Sequence, residues 1–187
     1  CHNDSETGGN CARNSPEVYL NNGDGTWTDV SSTWLFPQIE GIGILREHFV
    51  DSSYVDVGLR LIDVNGDLKA DLVRGQGSGK YVYINNGAGW TYDPTWILPL
   101  TFFQLSGVDY GMRMGDINGD GLPDIVCHND KAGGLCYNNQ PEIYLNNGLG
   151  WTDVSSTWLL PIREDNPSKR EAFTTEEGYD RGLQLQD

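Results

Sequence analysis

The sequence predicts an all-β protein of repeated units, each with four antiparallel strands, the plan of a propeller blade. Three observations carry that expectation. A sequence repeat of about 60 residues runs through the chain, apolar residues alternate with a period of two inside each unit, and 24 of 187 residues are glycine. Glycine at roughly double its usual share implies many tight turns, which favours strands over helices.

The repeat is visible in three aligned segments: EVYLNNGDGTWTDVSSTWLFP (Glu17 to Pro37), YVYINNGAGWTYDPTWILP (Tyr81 to Pro99) and EIYLNNGLGWTDVSSTWLLP (Glu142 to Pro161). Trp27, Trp90 and Trp151 lie 63 and 61 residues apart. A second signature precedes the acidic loops: GLRLID (Gly58 to Asp63), GMRMGD (Gly111 to Asp116) and GLQLQD (Gly182 to Asp187). Such self-similarity is the mark of a repeat architecture.

Each element can be read in order. Leu59 and Leu61, or Met112 and Met114, alternate with Arg60 and Arg113, giving a first strand with one face toward a core. An acidic loop follows, then a second strand over Ala70 to Arg74 or Asp124 to His128. Val82 and Ile84, or Ile143 and Leu145, alternate with Tyr83 and Tyr144 in a third strand. Asn22-Gly23, Asn86-Gly87 and Asn147-Gly148 then signal hairpins, because both central residues of the favoured two-residue turn need φ > 0. A fourth strand is expected to end near the Trp-x-x-Pro pattern. The paired tryptophans Trp27/Trp34, Trp90/Trp96 and Trp151/Trp158 are read as packing between neighbouring units rather than as a sugar-stacking set.

This register divides the chain into a partial blade over 1–40, complete blades over 41–99 and 100–161, and the start of a further blade over 162–187. Asp187 aligns with Asp63 and Asp116, and Cys1 with Cys127, so the chain reads as a slice of a longer array. The connectors 38–57, 100–110 and 162–181 differ in length and sequence, as binding-face loops would.

The acidic loops carry the chemistry. In DINGDGLPD the side-chain oxygens fall on Asp116, Asn118, Asp120 and Asp124, and in DVNGDLKAD on Asp63, Asn65, Asp67 and Asp71. Odd spacing in a tight turn points alternate side chains inward, and the backbone carbonyl of Leu122 or Lys69 can complete the ring. An all-oxygen set with six or more donors suits Ca²⁺ better than Zn²⁺, and Mg²⁺ keeps more waters. An EF-hand is excluded because its loop needs a glutamate at position 12, where Arg74 and Cys127 stand, and helical flanks. The rival to metal is an ion-free turn rich in Asp and Asn. Two copies at one repeat position, with Asp187 beginning another, favour metal.

On these residues the chain resembles the FG-GAP/VCBS family of calcium-binding propeller blades, of the kind found in integrin α-subunit headpieces, some fungal lectins and secreted bacterial proteins. The resemblance implies that D-x-[DN]-x-D-G-x-x-D joins the first two blade strands and binds Ca²⁺. It maps onto Asp116, Asn118, Asp120 and Asp124 without a gap. Leu68 replaces the family's glycine in the other loop, so a looser site is expected there.

The four cysteines form C-x9-C and C-x8-C at equivalent positions. They are read as local disulfides, Cys1–Cys11 and Cys127–Cys136, each closing an enlarged loop in an oxidising compartment. A metal reading, with His2 and His128 beside a thiol, lacks the C-x2-C spacing of zinc sites. Asn3-Asp4-Ser5 is a sequon for possible glycosylation at Asn3.

Charge narrows the function. A net charge of -15 and twelve scattered Lys and Arg exclude nucleic acid, which needs clustered cations. No apolar run approaches the roughly 20 residues of a spanning helix, so no membrane insertion is expected. No Ser/His/Asp set, paired catalytic carboxylates or phosphate-cradling loop stands out, and no enzyme is expected. The sequence is read as an extracellular or cell-surface binding or adhesion module holding Ca²⁺. Its partner would be a protein or glycan ligand, or further copies of the repeat. The alternatives are a structural unit of an extracellular fibre and a carbohydrate-binding lectin.

Overall fold

The computed structural model describes residues 17–39, 45–130, 136, 141–175 and 177–185. They form ten strands: β1 (Tyr19–Asn21), β2 (Trp27–Asp29), β3 (Leu59–Ile62), β4 (Asp71–Gln76), β5 (Gly79–Asn85), β6 (Trp90–Tyr92), β7 (Met112–Gly115), β8 (Asp124–Cys127), β9 (Glu142–Asn146) and β10 (Trp151–Asp153). There is no helix among the described residues. β3 to β6 make one four-stranded sheet, β7 to β10 a second, and β1 with β2 a two-stranded sheet. Every ladder is antiparallel and joins strands consecutive in the chain, for example Leu72↔Tyr83 in one sheet and Ile125↔Tyr144 in the other. The all-β expectation holds.

Burial explains the patterns. The second strand of each whole sheet is covered on both faces, so Leu72 and Val73, or Ile125 and Val126, are all buried. Strands covered on both faces read as continuous apolar runs, which is why the sequence there is DLV and DIV. The first and third strands depart from the expected one-sided alternation: Leu61 on β3 is 51% exposed, and Val82 and Tyr83 on β5 are both buried because each face of the strand is covered there. Packing between the two whole sheets joins Val64, Val73 and Val82 to Met112, Ile125 and Cys127 in one cluster. Truncating a core side chain of this kind costs about 2–5 kcal/mol.

The tryptophans lie at the same seam. Trp96 meets Trp151 edge-on at 5.1 Å between centroids, and Trp34 meets Trp90 at 5.2 Å. The second tryptophan of one unit therefore packs on the first of the next. It does so from outside the sheet: β6 ends at Tyr92 and a turn at Asp93 carries the chain to Trp96, so the fourth strand stops short of the Trp-x-x-Pro pattern. The hairpins differ too. Asn85 pairs with Trp90 and Asn146 with Trp151, leaving four-residue loops rather than two-residue turns. Gly87 and Gly148 take φ of 87° and 80°, whereas Asn86 and Asn147 stay at negative φ. The asparagine side chains instead accept backbone N–H groups, as Asn86 Oδ1 does from Ala88. Gly182–Leu185 forms no strand, since no described segment pairs with it; Leu183 and Leu185 lie against the Val126–Ile143–Phe173 cluster.

Connectors are pinned by buried polar groups. Glu47 is buried and accepts from Tyr83 Oη at 2.6 Å and from Arg74 Nη1. His128 donates from Nδ1 to the Glu171 carbonyl at 2.5 Å, and burial pushes its pKa below the usual histidine value. Each first strand is preceded by an aspartate accepting from the glycine two residues on, at 2.7 Å for Asp109 and Gly111. Gly111 takes φ 79°, and a Cβ there would lie 2.4 Å from the His128 carbonyl oxygen.

Two outcomes follow. Gly111→Ala should destabilise by about 3 kcal/mol or more in urea unfolding, because left-handed backbone strain of about 1–2 kcal/mol adds to a clash with main chain. Gly23→Ala, at the same φ of 79° with nothing within 4 Å, should cost only the strain. For His128, the unfolded chain takes up a proton near its ordinary pKa of about 6.5 and the folded chain resists it. Stability should therefore fall as pH drops from about 7.5 to 5.5, and His128→Gln should flatten that part of the urea-midpoint profile.

Candidate metal centre

Each acidic loop joins the first two strands of a whole sheet, β3 to β4 and β7 to β8. The loop is built by its own carboxylates. Asp116 accepts backbone N–H groups from Gly119 (2.7 Å), Asp120 (3.2 Å) and Gly121 (2.7 Å). Asn118 Oδ1 accepts from Asp120 N and Asp120 Oδ1 from Leu122 N. The other loop repeats all five bonds: Gly66, Asp67 and Leu68 donate to Asp63, Asp67 N to Asn65, and Lys69 N to Asp67. The side-chain oxygens of positions one, three and five thus wind the loop around themselves by accepting its backbone N–H groups.

Position nine does something else. Asp124 is buried at the start of β8, with Oδ1 accepting from Asn146 N (2.7 Å) and Oδ2 from Ile117 N (3.1 Å). Asp71 accepts from Asn85 N (2.7 Å) and Val64 N (3.0 Å) in the same way. Each ties the loop's beginning to the third strand. Burial pushes both carboxyls above the usual carboxylate range; the two N–H donors pull the other way, and the charges of Asp120 and Asp116, or Asp67 and Asp63, add to the rise. Asp116, at the exposed side, is held low by the N–H of Gly121 first of all.

The donor set is oxygen only, and its carboxylates are near enough to disfavour each other's charge, which suits a hard divalent cation. Among the described residues, however, no three Asp, Glu, His or Cys side chains gather into a metal-holding group. The inward oxygens of Asp116 and Asp124 face backbone N–H groups, and Asn118 Nδ2 donates to Asp120 Oδ2 at 2.8 Å. In the other loop Lys69 Nζ bonds Asp67 Oδ2 at 2.9 Å, so a cation of the chain itself already meets one carboxylate. Its counterpart Leu122 reaches the neighbouring loop at Gly66.

Cys127 and Cys136 are joined in a disulfide, Cα to Cα 5.6 Å. Cys1, Cys11, Asn3 and Asp187 lie outside the described residues. Two residues that the motif reading passed over prove central. Asn85 and Asn146 were visible only as turn residues, yet they close the aspartate bridges, and Asn146 Nδ2 also donates to the Val64 carbonyl of the adjacent sheet at 2.8 Å. The signal was the Asn-Asn doublet, repeated at Asn21, Asn85 and Asn146.

Serial four-stranded antiparallel sheets with an acidic loop between their first two strands define a β-propeller-like repeat protein. Residues 63–127 match the family model described as an FG-GAP-like repeat. No curated protein matches the chain.

Leu68 is the local departure. It takes φ 66° and is 93% exposed, where the other loop has Gly121 at φ 86°. Since L-residues lose about 1–2 kcal/mol in this region and glycine gives back part through unfolded-state entropy, Leu68→Gly should stabilise the protein. A gain of about 0.5–1 kcal/mol in urea unfolding is expected, with Gly121→Leu moving the opposite way.

Proposed function

We propose that this chain is an extracellular calcium-binding module whose β-propeller-like sheets serve binding or adhesion rather than catalysis. One observation carries the calcium reading: two loops in different sheets make the same five internal bonds and the same buried-aspartate bridge. A surface turn needs no such duplication of acid in a chain of net charge -15.

Asp116, Asn118, Asp120 and Asp124, with the Leu122 carbonyl, would hold one ion; Asp63, Asn65, Asp67 and Asp71, with the Lys69 carbonyl, would hold another. Carboxylate oxygens accept more than one partner, so accepting N–H does not exhaust them. Bound there, a divalent cation offsets the repulsion among the carboxylates and links the first two strands. The residues keep the loop wound, aim the oxygens and anchor the site to the sheet through Asp124 or Asp71.

The Cys127–Cys136 disulfide suits a compartment outside the reducing cytosol. The non-enzymatic reading rests on the repeat family, whose members are generally not enzymes. The partner is a protein or glycan ligand, or further copies of the repeat. A fibre or array unit is the second reading, favoured by sheets that pack face to face in series with a shared core. A lectin reading has less support, because Trp34, Trp90, Trp96 and Trp151 are engaged with one another.

Calorimetric titration of Ca²⁺ into chelator-treated protein should give two sites, the 116–124 loop binding more tightly. At a free-ion concentration of about a hundred times Kd the stability gain is about 2.7 kcal/mol for one site, read as a rise in Tm. Asp120→Asn should remove one site and leave the other. An unchanged Tm with and without chelator would sink the proposal.

A further inference from the structure

We infer that three leucines, at the acidic-loop end of the seam between the two whole sheets, dock a protein partner whose apolar side chains are flanked by lysine or arginine. The inference rests on the binding role proposed above but not on its calcium. Leu122 joins the loops there. Its Cδ2 lies 2.9 Å from the place a Cβ would take on Gly66, and its Cδ1 lies 3.8 Å from that place on Gly148. Leu68 stands two residues beyond Gly66, and Leu149 one beyond Gly148. They are 93% and 83% exposed.

The repeat supplies its own control. The equivalent loops have Gly121 in place of Leu68, Lys69 in place of Leu122, and Ala88 or Asp24 in place of Leu149. Large apolar side chains therefore occur at all three positions of this seam and at none of these counterparts. A further repeat would not cover them. Ala88, with a whole sheet packed after it, and Gly121, with one packed before it, are exposed as well. Packing of the units thus leaves both kinds of loop tip free on either flank.

Folding gives no reason for these side chains. Leu68 holds φ 66°, in the left-handed region, and presents to water an apolar group that glycine would lack. Both exposed leucines sit on fixed backbone. Leu68 N donates to Asp63 Oδ2 at 2.8 Å, and Leu149 N to Asn147 Oδ1 at 3.0 Å. Backbone strain that surrounding hydrogen bonds maintain is characteristic of functional contacts. Side chains presented on a rigid loop also lose less freedom on binding, so a small contact gains affinity.

Charge selects the occupant. Asp63, Asp67, Asp116 and Asp120 share the two acidic loops with Leu68 and Leu122. Lys69 is the one cation in those loops, and it is already paired with Asp67 at 2.9 Å. An acidic segment or an anionic lipid surface is repelled there, whereas a basic segment is steered in. Its apolar side chains meet the leucines while its cationic groups meet the carboxylates, an apolar centre within a charged rim.

The test is a labelled synthetic peptide with lysines on both sides of a leucine–phenylalanine pair, titrated into the 187-residue protein in chelator by fluorescence anisotropy. Saturable binding is expected, weakened about tenfold by Leu68→Gly and about tenfold by Leu149→Ala, each the residue found in an equivalent loop. Leu68→Gly is the change expected to stabilise the fold, so its loss of binding is not a loss of structure. Peptides with serines for the apolar pair, or glutamates for the lysines, should not bind. Binding that neither substitution weakens would overturn the inference and leave the binding role standing, the peptide then being held elsewhere. No binding by the folded protein would overturn it as well. So would retention on phosphatidylserine vesicles through both leucines, or a dimer in sedimentation that Leu68→Gly dissolves, the occupant then being a membrane or a second copy.

Discussion

A buried aspartate bridging two strands and a loop is the interaction on which each four-stranded sheet depends. Asp71 and Asp124 start their strands with both oxygens turned inward, one accepting from the loop's second residue and one from the last residue of the third strand. Removing a carboxylate from water is costly unless hydrogen bonds to the charged form replace the lost solvation. The two N–H groups supply part of that replacement, and the exposed acids of the same loop work against it. The arrangement is consequently demanding: the group that organises the strands is also the one most burdened by neighbouring charge. A divalent cation would resolve that conflict without disturbing the bridge.

Around this bridge the units are joined by packing in series. The second strands have no solvent face, tryptophans interlock from unit to unit, and connectors are held by buried polar contacts that vary between repeats. Glu47 takes a tyrosine and an arginine in one connector, while the Glu171 carbonyl takes His128 in another. Conserving the hydrogen-bond requirement while changing its chemistry leaves the connectors free to differ. Variation there and constancy in the sheets fit a scaffold that displays a surface, which is the sense of the binding role proposed for it.

Much of this was legible from the residues. Period-two alternation placed the first and third strands, the Asn-Gly doublets placed the hairpins, and the spacing of Asp116, Asn118, Asp120 and Asp124 marked the acidic loop between the first two strands. Turn geometry was less accessible. Four-residue loops replaced two-residue turns because the asparagines satisfy backbone N–H groups from their side chains, so they need no positive φ. The fourth strand ended early because Trp96 is required at the seam with Trp151, and a turn rather than a strand brings it there.

The sequence by itself determined the class of fold, the repeat register and the oxygen-rich loops, because these depend on local periodicity and on which atoms lie within nine residues. Tertiary structure alone decided the work of Asn85 and Asn146, the burial of Glu47 and His128, and the seam at which the two four-stranded sheets share a core. Those features arise where segments distant in the chain meet, as Val64 meets Asn146. Long-range contacts of that kind are set by the packing of one sheet on the next, and no local pattern encodes them.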